Sequence, residues 1–161
     1  MSHWQAPGAS DEWYTPAYIF EALGETFDLD VAHPANRHTH VPCKGWLWHD
    51  SLAQDWRGFV WMNPPFGARN SIGAWLDKFF AHGNGIALTP DRTSAPWFQS
   101  AAARADAILF LSPKVRFERP DGTTGDSPSG GTALMAAGPR AVAALIRAQA
   151  QGLLVTPRVF A

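Results

Sequence analysis

The 161-residue sequence predicts an α/β fold, a mostly parallel sheet with helices on both faces. Three observations carry that reading. Several short runs are apolar throughout, such as Ile86-Ala87-Leu88-Thr89 and Ala107-Ile108-Leu109-Phe110-Leu111. Segments of helical periodicity separate them, and chemically unusual residues stand directly after strands, where folds of this class bind ligands. At about 150 residues per domain the chain is expected to form one domain. Its 46% apolar and 17% charged composition excludes a disordered polymer. No apolar run reaches the ~18 residues of a membrane span, and the polar N-terminus shows no signal-peptide pattern. Cys43 is the single cysteine, so the expected setting is a reducing cytoplasm.

Residues 1–11, rich in Ser, Gly and Pro, read as a flexible lead-in to one unit over 12–161. Thr15 caps a first helix with Pro16 at its first position, running through Ile19, Phe20 and Leu23 to Gly24. Phe27-Asp28-Leu29-Asp30-Val31-Ala32 and Phe59-Val60-Trp61-Met62 are the first strong strands, with Trp46-Leu47-Trp48 a weaker candidate between them. Ile72, Trp75, Leu76 and Phe79 mark a second helix ending near Gly83. After the strand Ile86–Thr89, Ser94-Ala95-Pro96 starts a third helix through Trp97, Phe98 and Ala101. The strand Ala107–Leu111, the weaker Val115-Arg116-Phe117 and the strand Thr132–Ala136 follow. Pro139 opens a fourth helix with Val142, Leu145 and Ile146 on one face, stopping before Gly152. Leu153-Leu154-Val155 is a last, weaker strand. Trp75, Phe79, Phe80, Trp97 and Phe98 fall at helical spacings and are expected in the core, as are most of the eight tryptophans.

Charge is nearly balanced, 13 Lys+Arg against 14 Asp+Glu, which speaks against a grip on nucleic acid by charge alone. The balance conceals an asymmetry. Residues 1–80 hold nine acidic against five basic side chains, a net −4, and residues 81–161 five against eight, a net +3. A polyanion would favour the second half, around Lys114, Arg116 and Arg119, although a solvated surface hairpin explains the same charges.

The most specific chemistry lies in Asn63-Pro64-Pro65-Phe66, directly after a strand. Two prolines in series stop the ladder and fix an extended turn. An amide and a set of carbonyls are thereby held at the ligand edge beside an aromatic ring. The Asn63 side-chain oxygen and the Pro64 carbonyl suit the two hydrogens of a planar amine, and Phe66 suits stacking on the ring that bears it. A Pro-rich strand exit with an asparagine turn is the plainer alternative.

These blocks resemble the bacteriophage and prophage DNA N-6-adenine methyltransferases of the Dam type. Trp13-Tyr14-Thr15-Pro16 is similar to that family's opening, and Phe27–Ala32 to its F-D-L-D-x-A strand, with Asn36 where the family tends to have asparagine. Asp50-Ser51-Leu52 with Trp56 resembles its D-G-L…W segment, leading into Trp61–Phe66. Leu88-Thr89-Pro90-Asp91-Arg92-Thr93 with Trp97-Phe98 resembles its L-x-P-x-R-T…W-F block, and Ile108–Leu111 with Val115–Phe117 its I-x-F…R-x-x-F stretch. The blocks span about residues 12–138 in the family's order.

The resemblance implies a Rossmann-like class I fold, S-adenosylmethionine as cofactor, double-stranded DNA as partner and methyl transfer to adenine N6. It places Asn63, Pro64, Pro65 and Phe66 on a flipped-out adenine. It places Trp13, Tyr14, Thr15, Pro16, Asp30, Ala32 and Asp50 on the cofactor, with Asp30 under its amino group and Asp50 at its ribose or adenine. A strand-end turn for Asp30 and an N-cap for Asp50 are the competing readings. Arg92, Lys114, Arg116, Arg119 and Ser129 would contact DNA, with the Arg116–Ser129 loop doing the sequence reading, since no segment forms a target-recognition domain. A homodimer would enlarge that surface. The resemblance also implies a phage- or prophage-encoded protein in the cytoplasm of a bacterial host.

The sequence departs from the family at three places. No Gly-x-Gly-x-x-Gly follows the first strand, His33 stands where the family usually has a small residue, and Ser112-Pro113-Lys114 replaces a Gly-Arg. His38, His40, Cys43 and His49 lack paired metal-ligand spacings, so no metal site is expected. Gly122–Gly131 precedes a strand and lacks a Gly-Lys-Ser/Thr ending, so it reads as a mobile loop over the site, not a phosphate loop. A methyltransferase of protein glutamine amides, or an inactive DNA-binding or antirestriction relative, are the alternative functions.

Overall fold

The computed structural model describes residues 13–35, 38–65, 71–125 and 130–157, and among these lie four α-helices and six strands. They are α1 (Ala17–Leu23), β1 (Leu29–Asp30), β2 (Val60–Met62), α2 (Ser71–His82), β3 (Gly85–Pro90), α3 (Pro96–Arg104), β4 (Ala107–Leu111), β5 (Thr132–Ala137), α4 (Pro139–Arg147) and β6 (Gly152–Val155). The strands form one sheet in the order β1-β2-β3-β5-β4-β6. β1, β2 and β3 pair in parallel, β5 runs antiparallel to β3 and β4, and β6 antiparallel to β4.

The sheet is therefore mixed, which corrects the mostly parallel expectation. β1–β4 run the same way and end at one edge. The connection after β4 stays at that edge, where Asp91 N–H donates to the Gly131 carbonyl at 3.1 Å. A strand starting there must run back, and β5 does so between β3 and β4. α4 then returns the chain to the carboxyl edge, so β6 also runs back, beside β4.

Alternation along the strands sends side chains to two cores. Trp61, Ile86, Leu88, Leu109 and Leu134 pack with Ile19, Phe20 and Leu23 of α1 and Ala141, Ala144 and Leu145 of α4. Val60, Met62, Ala87, Ile108 and Met135 pack with Leu76 and Phe79 of α2 and Phe98 and Ala101 of α3. Helices thus cover both faces. Phe79 and Phe98 are buried, whereas Trp75, Phe80 and Trp97 are half-buried against the same cluster.

Other differences are local. β1 has two residues; Phe27 makes an isolated bridge to Cys43 and Trp46 one to Asp30, so the segment around 42–47 lies parallel beside β1 without becoming a full strand. Val115–Phe117 forms no strand, although Val115 is buried. Pro16, not Thr15, occupies the N-cap of α1, and no side chain caps it. Proline supplies the extended φ that this position needs, which leaves the Thr15 hydroxyl facing elsewhere. Trp46 and Trp48 are 55% and 57% exposed, against the expectation of core. Side chains alternate along this extended segment, so Leu47 packs against the core while Trp46 and Trp48 on either side of it face outward.

Gly58 is required by its surroundings. Its φ is +71°, and an added Cβ would lie 2.3 Å from Asp28 Oδ2. That same oxygen accepts from Phe59 N–H at 2.8 Å and so sets the start of β2. On the other side, Glu25 after α1 accepts from Arg140 at 2.7 Å and Arg147 at 2.8 Å, both of α4. Arg147 also donates to the Leu23 carbonyl at the end of α1, and Arg140 lies over the Phe59 ring at 4.3 Å.

These contacts have a pH signature. The Arg140 hydrogen bond, with that of Arg147 behind it, holds the Glu25 carboxyl below its ordinary value; the Phe59 N–H, then Lys44, does so for Asp28. A depressed folded-state pKa gives stability that is full above the unfolded value and lost as pH falls through the folded one. Acid unfolding is therefore expected to begin below about pH 4.5. Glu25→Gln should lower stability at pH 7 and flatten the acid limb, as read by urea midpoints from pH 7 to pH 3. An acid limb unchanged in slope would remove Glu25 from the account.

Candidate functional site

Because β1–β4 are aligned, their carboxyl ends bring distant segments together. Asp30 closes β1, Asn63-Pro64-Pro65 follows β2, Pro90-Asp91-Arg92 closes β3 and Ser112-Pro113-Lys114 follows β4. Tyr14 joins them through an antiparallel bridge to Glu118, with Tyr14 N–H donating to the Glu118 carbonyl at 2.8 Å and the reverse bond at 2.9 Å. The start of α1 is thereby tied to the connection that leaves β4.

Asp30 is the most enclosed acid of this edge, 3% exposed. Leu29 and Val31 pack toward the α2/α3 face, so alternation turns Asp30 toward the α1 face. Its backbone is held from both sides, by Gly45 and Leu47 on the outer segment and by the β2 pairing. Its Oδ1 accepts from Ala32 N–H at 3.2 Å and its Oδ2 pairs with His33 Nδ1 at 3.0 Å. The first bond is the strand-end turn that the sequence allows. It leaves lone pairs on both oxygens, because a carboxylate offers about four acceptor sites.

Thr15 lies at the entry to α1, 4% exposed, and its Oγ1 has no hydrogen-bond partner among the described residues. A buried hydroxyl without a partner costs about 1–3 kcal/mol, so a ligand atom there would remove a penalty. Pro64 is buried, Asn63 half-buried and Pro65 exposed. Among the described residues the Asn63 amide makes no hydrogen bond. Phe66 and Ser129 lie outside the described residues, as does Asn36.

The remaining sequence candidates are more open. Asp50 stands at the N-cap of a short 3₁₀ turn, Ser51–Ala53, without capping it through its side chain; the carboxylate is 83% exposed and pairs with His49 at 3.3 Å. Arg92, Lys114, Arg116 and Arg119 are exposed. Arg119 stacks over the Trp13 ring at 5.2 Å and donates to Thr123 and Thr124, so the connection and the segment before α1 hold each other. Asp121 fixes that turn by accepting from Thr123 N–H and hydroxyl.

The histidine and cysteine set disperses. His40 pairs with Glu118 at 2.7 Å, His49 with Asp50, and Cys43 lies in the bridge to Phe27. Among the described residues no three metal-ligating side chains come together. Burial, then the Asp30 charge, pushes the Cys43 thiol up to about 11, so at neutral pH it is a protonated, weakly nucleophilic group. No helix among the described residues is long and apolar enough to cross a membrane.

The edge therefore gathers a buried carboxylate, a buried hydroxyl in want of a partner, an amide on a rigid double-proline turn, and exposed cations on the neighbouring connection. Sequence reading located each of these but missed the His33–Asp30 bond. Its signal was present: a histidine three residues past a strand-end aspartate reaches back across the turn.

Comparison with known protein families matches residues 4–138 to the model described as DNA N-6-adenine-methyltransferase (Dam). Among curated proteins and among solved structures no match is found.

Proposed function

The chain belongs to the DNA N-6-adenine-methyltransferase (Dam) family, and from that premise we propose that it methylates adenine N6 in DNA, using S-adenosylmethionine, at the carboxyl edge of β1 and β2. The observation that carries this is the placement of Asp30 and Asn63-Pro64-Pro65 at the carboxyl ends of adjacent parallel strands, Asp30 opposite Trp61 and so two residues short of the level of Asn63. The fold in this reading is of the class I type, and residues 12–161 act as one catalytic unit.

The residues present suit the cofactor. The enclosed Asp30 carboxylate suits an ammonium group, and the Thr15 hydroxyl beside Pro16, without a partner among the described residues, offers a donor or acceptor at the entry to α1. Trp13, Tyr14 and Ala32 flank these two, and Asp50 would reach a ribose or adenine edge. When bound, S-adenosylmethionine supplies an electrophilic sulfonium methyl group.

Asn63 and Pro64 do the rest of the work. Adenine N6 is a poor nucleophile because its lone pair is delocalised into the ring. The Asn63 side-chain oxygen and the Pro64 carbonyl each accept one N6 hydrogen and draw the amine out of conjugation. The double proline fixes the Pro64 carbonyl and the backbone that carries Asn63 before substrate arrives, so positioning supplies much of the acceleration. Developing positive charge on N6 is shared with these acceptors until one N6 proton passes to water. The target base must leave the duplex to reach them, and Phe66 would stack on it.

The exposed Lys114, Arg116 and Arg119, with Arg92 and Ser129, would hold the DNA backbone. Arg116→Ala is expected to weaken binding to unrelated DNA sequences alike and to reduce the slope of log affinity against log salt by about 1. An unchanged slope in a fluorescence-anisotropy titration would remove Arg116 from the interface.

The reaction itself is tested by incubating the protein with methyl-tritiated S-adenosylmethionine and unmethylated DNA, then digesting to nucleosides. Label in N6-methyladenine is expected. Label confined to protein would point to a glutamine amide instead, and absence of both transfer and cofactor binding to an inactive relative.

A further inference from the structure

Asp30 and His33 form an enclosed pair, their side chains 4% and 8% exposed. The imidazole is held through both its ring and its backbone. Its Nδ1 meets Asp30 Oδ2 at 3.0 Å and its ring lies against the Trp46 indole with centroids 5.3 Å apart at 34°, while the backbone N–H of His33 donates to the Leu47 carbonyl at 2.9 Å and fixes the turn that carries the ring. Such a ring cannot swing away from the carboxylate without breaking the packing against Trp46.

The carboxylate, by contrast, needs holding. The terminal torsion of aspartate is broad and roughly two-fold. The Ala32 N–H, at 3.2 Å, restrains one oxygen only. The second restraint is His33 Nδ1.

We propose that His33 is a positioning residue: it fixes the Asp30 carboxylate so that the remaining lone pairs accept the α-ammonium of the cofactor's amino-acid end. The proposal rests on Asp30 as the ammonium acceptor. Its consequence is selectivity, because a ligand with that ammonium draws on His33 and a nucleoside without it does not.

Calorimetric binding of two probes separates the possibilities: S-adenosylhomocysteine, which carries the amino-acid end, and 5′-methylthioadenosine, which lacks it. His33→Ala should weaken S-adenosylhomocysteine about tenfold and change 5′-methylthioadenosine less than about twofold. His33→Asn, whose amide can donate from near the Nδ1 position, should recover most of the loss. Equal weakening of both probes, or no weakening of either, overturns the proposal. Asp30→Asn tells the two layers apart. If it leaves the ratio of the two affinities unchanged, Asp30 does not hold the ammonium and the proposal falls with that reading. If it lowers the ratio while His33→Ala does not, the Asp30 reading stands and only His33 is refuted. Far-UV circular dichroism of each variant confirms that it is folded.

Discussion

Replacing Asn63 with alanine is expected to lower the single-turnover rate of methyl transfer about 10²- to 10³-fold while leaving cofactor affinity nearly unchanged. The split follows from position. Asn63 stands after β2 on a turn stiffened by Pro64 and Pro65, whereas the groups suited to the cofactor, Asp30 and Thr15, belong to the neighbouring strand and the entry to α1. The substitution removes one acceptor of an N6 hydrogen and nothing from the core, since Asn63 is only half-buried. The Pro64 carbonyl remains, so some turnover should persist. Rapid-quench transfer and calorimetric cofactor binding measure the two quantities. Parallel loss of both would mean that Asn63 serves the cofactor pocket and not the amine.

Trp61→Ala should produce the largest loss of stability, about 3–5 kcal/mol. Trp61 is 1% exposed, on the strand that delivers Asn63. Its ring meets Phe20 of α1 at 4.8 Å and Phe27 at 5.5 Å. Truncation would leave a void between α1 and the sheet, and rigid aromatic neighbours on both sides allow little collapse. Trp61→Phe should cost markedly less, because it keeps an aromatic contact to both neighbours. Urea titrations with an unchanged m-value measure the difference. A loss below about 1 kcal/mol for the alanine variant would contradict this picture of the core.

The elements most legible in the sequence were those with a single physical cause. The β4 run Ala107–Leu111 is apolar at every position, and its bounds agree with the structure. Pro139 opens α4 and Pro96 opens α3, because a helix start tolerates the missing N–H. Strand direction was less legible. Whether β5 runs with or against β4 depends on where the connection between them turns, which Thr132–Ala137 does not encode locally. The short β1 was overread for a related reason: Phe27 and Asp28 have strand-like character, yet their hydrogen bonds go to Pro42 and to Phe59 outside a regular ladder.

The candidate site was legible because its residues sit at strand ends, where local sequence dictates chemistry. Asn63-Pro64-Pro65 is rigid whatever surrounds it. What could not be read was the company each side chain keeps. The exposure of Trp46 and Trp48 depends on their segment lying outermost beside β1. The bond between His33 and Asp30 depends on a turn held by Leu47, fourteen residues further along the chain.

If methyl transfer takes place at the edge formed by Asp30, Thr15 and Asn63, a crystal structure with S-adenosylhomocysteine bound will show the ligand there. The expected density places the ligand's amino group within about 3 Å of an Asp30 oxygen, a polar atom of its amino-acid end on the Thr15 hydroxyl, and its sulfur facing the Asn63 amide. A ligand seated away from the β1 and β2 carboxyl ends, with Asp30 bonded only to Ala32 and His33, would contradict it.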